Sequence, residues 1–369
     1  MLAFISAGAA AQADDQLFDR GLNEFNSKQF QKCIDTFGQV VKSSPRNSAA
    51  YYNQALCYYN LERYQESVNA LKASIAIKAD YVKAYIQLGN ALDNLSQYNE
   101  AIAAYMHAIE YDPRNASAYF EIGVAHYRQK NYKASLDAFR KSSEIDPKNP
   151  DTFYRMGLDL KGLAQDNDAL IAFEHAISLG ITNGWAQVEA GKAYSKNGDS
   201  TKAIGLFQQA VKVRPSIADP YKLLGDEYVD RNEFESAITQ YNEAIRLLPT
   251  YTDAYLGLGN AFYNNNKYAE AIPHYKKASE LSPKAVTAWL YLGDAYLNSR
   301  QPQPALAAYK NVIALDPNNV EGIYASGLAY IQTNDLVRAQ GQVSILTKLN
   351  PEKAQTLTDK ITAAGKPKQ

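Results

Sequence analysis

An all-α solenoid of antiparallel helix pairs is the fold class that this sequence predicts, on three observations. Nine of its 20 glycines (Gly21, Gly89, Gly123, Gly157, Gly191, Gly225, Gly259, Gly293 and Gly327) fall on one lattice with a step of 34 residues, and Ala55 fills the vacant node. Twelve residues after each node comes a small residue such as Cys33, Ser67 or Ala101, and four residues later a large apolar one such as Phe37, Leu71 or Tyr105. Eight units close on a proline, from Pro45 to Pro351. A period of this length marks stacked supersecondary units, none of which can bury its apolar face alone.

Counted from Asp14, ten units run without insertion: 14–47, 48–81, 82–115, 116–149, 150–183, 184–217, 218–251, 252–285, 286–319 and 320–353. Within a unit, positions 4, 7, 8 and 11 are apolar or small, as in Tyr85, Leu88, Gly89 and Leu92. That spacing is one stripe of an α-helix. Positions 20, 24 and 27 give a second stripe, as in Ala101, Tyr105 and Ala108. Each unit therefore reads as two short helices joined by a tight turn. The glycine is expected to face the small residue, so that the two backbones approach closely. Proline cannot continue a helix, so it stops the second one. A glycine inside a helix costs about 1 kcal/mol relative to alanine, and nine such costs at one phase imply a contact worth more.

The ends read differently. Residues 1–13, MLAFISAGAAAQA, are apolar and finish in the small-x-small pattern Ala11-Gln12-Ala13. Cleavage after Ala13 would free Asp14, the first residue of the first unit, so the expectation is a truncated secretory signal and an exported protein. A tail, or a helix fragment capping the first unit, is the alternative. The run is too short to span a membrane. In the segment 354–369, the stretch up to Ala364 continues a helix from Glu352 with Leu357 and Ile361 inward. It would cover the last unit before the polar tail Lys366–Gln369.

Composition narrows the function. A formal charge of −1 argues against nucleic acid or an anionic membrane surface as partner. Cys33 and Cys57 read as two buried small residues in preference to a disulfide. The four histidines, His107, His126, His175 and His274, are scattered and read as packed or solvated. Gly191-Lys192 is a lattice node with no Ser or Thr following, so it is no phosphate loop. The expectation is a protein without catalytic residues, cofactor or metal.

The repeat resembles the tetratricopeptide-repeat family: aromatic at position 4, Leu-Gly at 7 and 8, aromatic at 11, Ala at 20, aromatic at 24, Ala at 27 and Pro at 32. Tyr255, Leu258, Gly259, Phe262, Ala271, Tyr275, Ala278 and Pro283 carry it in one unit, and it extends from Asp14 to Lys353. The resemblance implies a right-handed α-solenoid superhelix. Its first helices would line a groove for an extended peptide or protein segment, with positions 2, 5, 9, 12 and 13 facing inward.

On that reading, Phe18, Phe25, Tyr52, Tyr59, Phe120, Tyr127 and Tyr154 form an aromatic wall, unless they serve only packing between repeats. Asn26, Asn60, Asn94, Asn264 and Asn298 recur at position 13, where asparagine either holds a peptide backbone or caps a helix end. Asn90 and Asn260 stand at position 9, in mid-helix, where capping cannot apply. Asp226, Asp230 and Asp294, with Asp219, Asp253 and Glu321, make the last four units acidic, opposed by Lys222. The expected client is thus a segment with apolar or aromatic residues at one end and basic residues at the other. Charges of the middle units, Arg128, Arg155 and Glu121 among them, interleave and read as a solvated face. Family members that clamp chaperone carboxylates use lysine and asparagine where Tyr52, Leu56 and Ile86 stand here, so that role is not expected.

The junction of units 5 and 6 departs most from the pattern. Ile181 replaces proline, Gln187 replaces the aromatic residue, and Gly162, Gly180 and Gly184 would loosen the backbone. The unbroken 34-residue step favours drift over a hinge. The whole reads as an exported, non-enzymatic adaptor, with a cytoplasmic scaffold or the regulatory subunit of a separate enzyme as alternatives.

Overall fold

A computed structural model describes the backbone of residues 2–365 and the side chains of residues 14–365. Twenty-one helices and no strand occur among the described residues. The side chains of the expected signal segment and the Lys366–Gln369 tail lie outside them. The chain divides into two compact bodies, Met1–Ile181 and Thr182–Gln369. The boundary falls at the junction that the sequence singles out as irregular.

The first body holds α1 (Leu2–Asn26), α2 (Phe30–Ser43), α3 (Ser48–Asn60), α4 (Tyr64–Ile77) and α5 (Val82–Asn94). It continues with α6 (Tyr98–Tyr111), α7 (Ala116–Arg128), α8 (Tyr132–Ile145), α9 (Pro150–Gly162) and α10 (Asp166–Ser178). The second holds α11 (Trp185–Lys196), α12 (Ser200–Val213), α13 (Ala218–Asp230), α14 (Phe234–Leu247) and α15 (Thr252–Asn264). It ends with α16 (Tyr268–Leu281), α17 (Val286–Asn298), α18 (Pro302–Leu315), α19 (Val320–Gln332), α20 (Leu336–Leu349) and α21 (Pro351–Ala364). Within each body every helix packs on its sequence neighbours, as a solenoid requires.

The lattice glycines have a sharper reason than the sequence gives. The ring of the residue 16 places later lies on each glycine: a Cβ on Gly89 would stand 2.3 Å from Tyr105, and one on Gly123 2.7 Å from Phe139. The small residue at position 20 does face the node, but through the backbone. The Ser67 hydroxyl donates to the Ala55 carbonyl at 2.9 Å and that of Ser135 to the Gly123 carbonyl at 2.8 Å. Bulk is thus excluded for the sake of a ring. At the last node the partner changes, and Leu357 of α21 covers Gly327.

The turns inside the units follow one plan that the sequence does not advertise. Position 15 is left-handed throughout, at Lys28, Glu62, Ser96, Lys130, Ala164, Gly198, Asn232, Asn266, Arg300 and Asn334. Bonds such as Lys28 N–H to the Phe25 carbonyl and Gln29 N–H to the Glu24 carbonyl close the first helix around it. Gly198 and the three asparagines suit this conformation, but at the other six positions the turn is held against local preference by the packing on either side.

Two expectations are corrected. Cys33 and Cys57 are buried, but they are joined by a disulfide between α2 and α3, with Cα atoms 6.1 Å apart. Position 20 of one unit and position 10 of the next lie opposite each other, close enough for two small side chains to bond. Gly162 does not loosen the backbone, because a Cβ there would meet the Tyr132 ring at 2.8 Å. Gly180 and Gly184 do adopt positive φ, of 84° and 74°, and the buried Ile181 takes the place of the usual proline between them.

Candidate functional site

The first helices present positions 2, 5, 9, 12 and 13, and the two bodies furnish them differently. In the first body the seven aromatic residues are half-buried, and each meets a second ring. Phe18, Phe120 and Tyr154 pack against Phe37, Phe139 and Phe173, with centroids 5.3, 5.3 and 5.9 Å apart. Phe25, Tyr59 and Tyr127 cross the turn to Phe30, Tyr64 and Tyr132 at 5.7, 5.3 and 5.7 Å, and Tyr52 meets Tyr81 at 5.0 Å. One face of every ring therefore serves the fold. Part of each side chain remains exposed to solvent.

Position 9 is explained by a rule visible only once the helices are paired. Tyr105, Tyr241, Tyr275 and Tyr309 donate their phenol protons to Asn90, Asp226, Asn260 and Asp294 at 2.7–2.8 Å, always 15 residues back. Burial removes these phenols from water and drives their pKa upward, so they stay protonated as donors. Where position 24 is Phe, Leu or Val, position 9 is Leu or Val, as in Leu22, Leu56, Val124, Leu158 and Leu328, with Lys192 the exception. The pairing is legible in the sequence as covariation at a spacing of 15, which escapes notice while the two helices of a unit are read separately. Asn90 and Asn260 are thus first of all partners of a buried tyrosine. Because the phenol holds the amide oxygen, the Asn260 amide nitrogen is the end left for another acceptor, whereas that of Asn90 reaches Gln87 Oε1 at 3.5 Å.

At position 13 three asparagines bond their own helix. The amides of Asn60, Asn94 and Asn298 donate to the carbonyls of Leu56, Asn90 and Asp294 at 2.8–2.9 Å. Asn94 and Asn298 also donate to the Tyr59 and Tyr263 hydroxyls of the preceding unit, at 2.8 and 2.7 Å. The next rung in the first body is ionic, with Arg128 3.0 Å from Asp93. Burial raises the Asp93 carboxyl even so, and it raises Glu121, which Asp93 repels while Arg155 and Arg128 favour its charge. Among the interleaved charges of the middle units, Arg128 is therefore held in an ion pair with the preceding unit.

In the second body a cleft of about 370 Å³ opens between α13, α15 and α17, lined among others by Asp226, Asp230, Asp253, Asn260 and Tyr291. Beside it lies a second of about 250 Å³, reaching Asn264 and Asp294. Four of the six acids are already engaged. Asp219 accepts from Tyr251 at 2.8 Å, Asp226 from Tyr241 and from Lys222 at 2.7 Å, Asp294 from Tyr309, and Glu321 pairs with Lys353. Asp230 and Asp253 have no internal partner among the described residues. Burial first, then repulsion from Glu227 and Asp226, holds the Asp230 carboxyl above the ordinary aspartate range. Lys222, expected to oppose the acids, is spent on one of them.

No group of three or more metal-ligating side chains exists among the described residues. His107 does contact Glu110 at 2.8 Å, one turn away on an exposed helix face. No helix of the described residues is long and apolar enough to cross a membrane.

Paired helices stacked in tandem, with a polar and aromatic face along the first helix of each pair, define a helical-repeat protein of the kind that generally scaffolds interactions. The chain belongs to the tetratricopeptide-repeat family. The family model described as the cilia and flagella-associated protein 70 C-terminal domain matches residues 9–254, and the tetratricopeptide-repeat model matches 256–320 and 290–343. Among solved structures, the C-terminal part of a TPR repeat-containing protein from Cytophaga hutchinsonii is 21% identical with a TM-score of 0.55, covering 64% of this chain and 98% of that one. PilF of Pseudomonas aeruginosa is 16% identical over 58% of this chain and 98% of its own, with a TM-score of 0.49. YrrB, described as a TPR protein with an unusual peptide-binding site, is 26% identical over 51% of this chain and 96% of its own, with a TM-score of 0.44. The comparison with curated proteins gave no match.

Proposed function

We propose that the protein is an interaction scaffold whose two bodies each hold an extended protein segment along the first helices. The supporting observation is the 370 Å³ cleft of the second body, where Asp230 and Asp253 are uncompensated beside the Tyr291 ring and the oriented amide of Asn260. An extended chain matches such a cleft. Its carbonyls meet the amide, and a lysine or arginine meets the two carboxylates. The half-open rings of the first body suit apolar or aromatic side chains.

Two features support an exported protein. The Cys33–Cys57 disulfide belongs to an oxidising compartment, and the apolar residues 1–13 end on a small-x-small site just before Asp14. Asp14 itself is fastened to the end of its unit by the Ser43 and Ser44 hydroxyls.

The test is peptide binding by the full chain, comparing lysine-plus-tyrosine decamers with glutamate-plus-tyrosine decamers. The basic set is expected to bind more tightly, with affinity falling as salt rises. Asp230→Asn with Asp253→Asn should weaken it roughly tenfold, since two exposed charge contacts contribute about 0.5–1 kcal/mol each. Asp226 and Asp294 are poor choices for such a test, because their loss would strand a buried tyrosine. The raised Asp230 pKa sets the pH dependence. Cation binding needs the carboxylate, so affinity should fall as pH drops through that raised value, above the point where an ordinary aspartate protonates. Equal affinity for both peptide sets would sink the proposal for the second body.

A further inference from the structure

Within each body, position 10 of a unit is matched with position 20 of the unit before it, 24 residues earlier, as the Cys33–Cys57 bond shows at one node. Most of these nodes pair small residues, as Ala91 with Ser67 or Ala125 with Ala101. At the first of them the two side chains are Cys57 and Cys33, and the seam between α2 and α3 is closed covalently. At the fourth the pair is Asp159 and Ser135, on α9 and α8. Asp159 is 0% exposed, and neither of its carboxyl oxygens receives a hydrogen bond. Ser135 faces it, but gives its only proton to the Gly123 carbonyl at 2.8 Å. The hydroxyl oxygen is therefore an acceptor in want of a donor, opposite a carboxyl that becomes a donor when it carries a proton.

We propose that Asp159 is a proton-operated fastener of the α8–α9 seam, holding units 4 and 5 together when neutral and releasing them when ionised. The neutral carboxyl completes a chain of donors, from Asp159 to the Ser135 oxygen and from Ser135 to the Gly123 carbonyl. The ionised carboxylate is met only by a Ser135 hydroxyl that must first leave the Gly123 carbonyl, and a buried charge so placed is costly. Of the charged groups on the helices packed around it, Arg155, on its own helix one turn earlier, is the one whose field favours ionisation. Arg155 is shared with Glu121 of α7, and α8 brings only the serine. Burial prevails over that field, and the Asp159 carboxyl is pushed up to about 7.

The sign follows from proton linkage. Below its folded pKa the carboxyl is neutral when the seam is closed, whereas in the opened seam it titrates as an ordinary aspartate. Opening therefore releases a proton, and the opening constant rises roughly tenfold per pH unit until the closed form ionises too. The same cell of the lattice thus carries a covalent lock at one seam and a titratable one at another.

Hydrogen exchange of the full chain, corrected for intrinsic chemical rates, reads this directly. Between about pH 5 and pH 7 the α8 and α9 amides should lose protection roughly tenfold per unit and then level off. The α4–α5 seam, with Ala91 at the node, should show no such slope. Asp159→Asn keeps a donor for Ser135 and cannot ionise, so it should flatten the α8–α9 profile and retain protection at pH 8. A wild-type seam indifferent to pH, or a slope that survives the asparagine, would overturn the proposal.

Discussion

At the scale of single residues, the lattice is a set of cavities cut for rings. Gly89 is required because Tyr105 occupies the space of its Cβ, and Tyr105 in turn is fixed by its bond to Asn90. A methyl group at this node has nowhere to go, since neither the ring nor the helix backbone is a flexible end. Gly89→Ala should therefore destabilise the protein by about 2–3 kcal/mol through overpacking. Gly205 and Gly341, which lie inside helices with open space around them, should behave oppositely. Alanine at either should stabilise by about 1 kcal/mol, through helix propensity and the smaller entropy of the unfolded chain. Urea denaturation of the three variants separates the two effects, and an equal response would remove the ring argument.

Elements are joined by two devices, only one of which leaves a trace in composition. The prolines that end the second helices are visible to any reader of the sequence. The left-handed residue that ends each first helix is not, because lysine, glutamate, serine, alanine and arginine all occupy it. Their strain is tolerated because the helices on both sides are fixed by burial. Lys130→Gly or Arg300→Gly is expected to relieve it and raise stability by about 1 kcal/mol, and Gly198→Ala to lower it by a similar amount. Thermal denaturation at fixed scan rate would measure both. The tyrosine pairs with Asn90, Asp226, Asn260 and Asp294 lie between these cases, since they leave a covariation at a spacing of 15 whose meaning shows only when the first helix is laid against the second.

For the whole molecule, stability is a sum over neighbouring seams, so damage stays local. The disulfide constrains the seam between units 1 and 2. Its reduction should cost about 3 kcal/mol through the 24-residue separation it closes, read as lost exchange protection confined to α1–α3. At the other end Leu357, fully buried, covers Gly327. Leu357→Ala should cost about 3 kcal/mol and loosen α19–α21 while leaving the first body unchanged. If either change melts the entire chain in one step, the seams are not independent.

The sequence by itself determined the repeat, its phase, the helix pairing and the family, because a period of 34 with glycine, ring and proline at fixed places admits one way of burying apolar surface. It also drew attention to Ile181, where the first body ends. What only tertiary structure decided is who faces whom across a seam. Cys33 meets Cys57, and Ser135 meets Asp159, by a separation of 24 that no helical period suggests. Asp226 and Asp294, read from the sequence as groove acids, prove to be acceptors for buried tyrosines, while Asp230 and Asp253 have no internal partner among the described residues. Periodicity reports which side of a helix is apolar; it carries no information on the neighbour's side chain, and polar groups are satisfied or stranded by that neighbour alone.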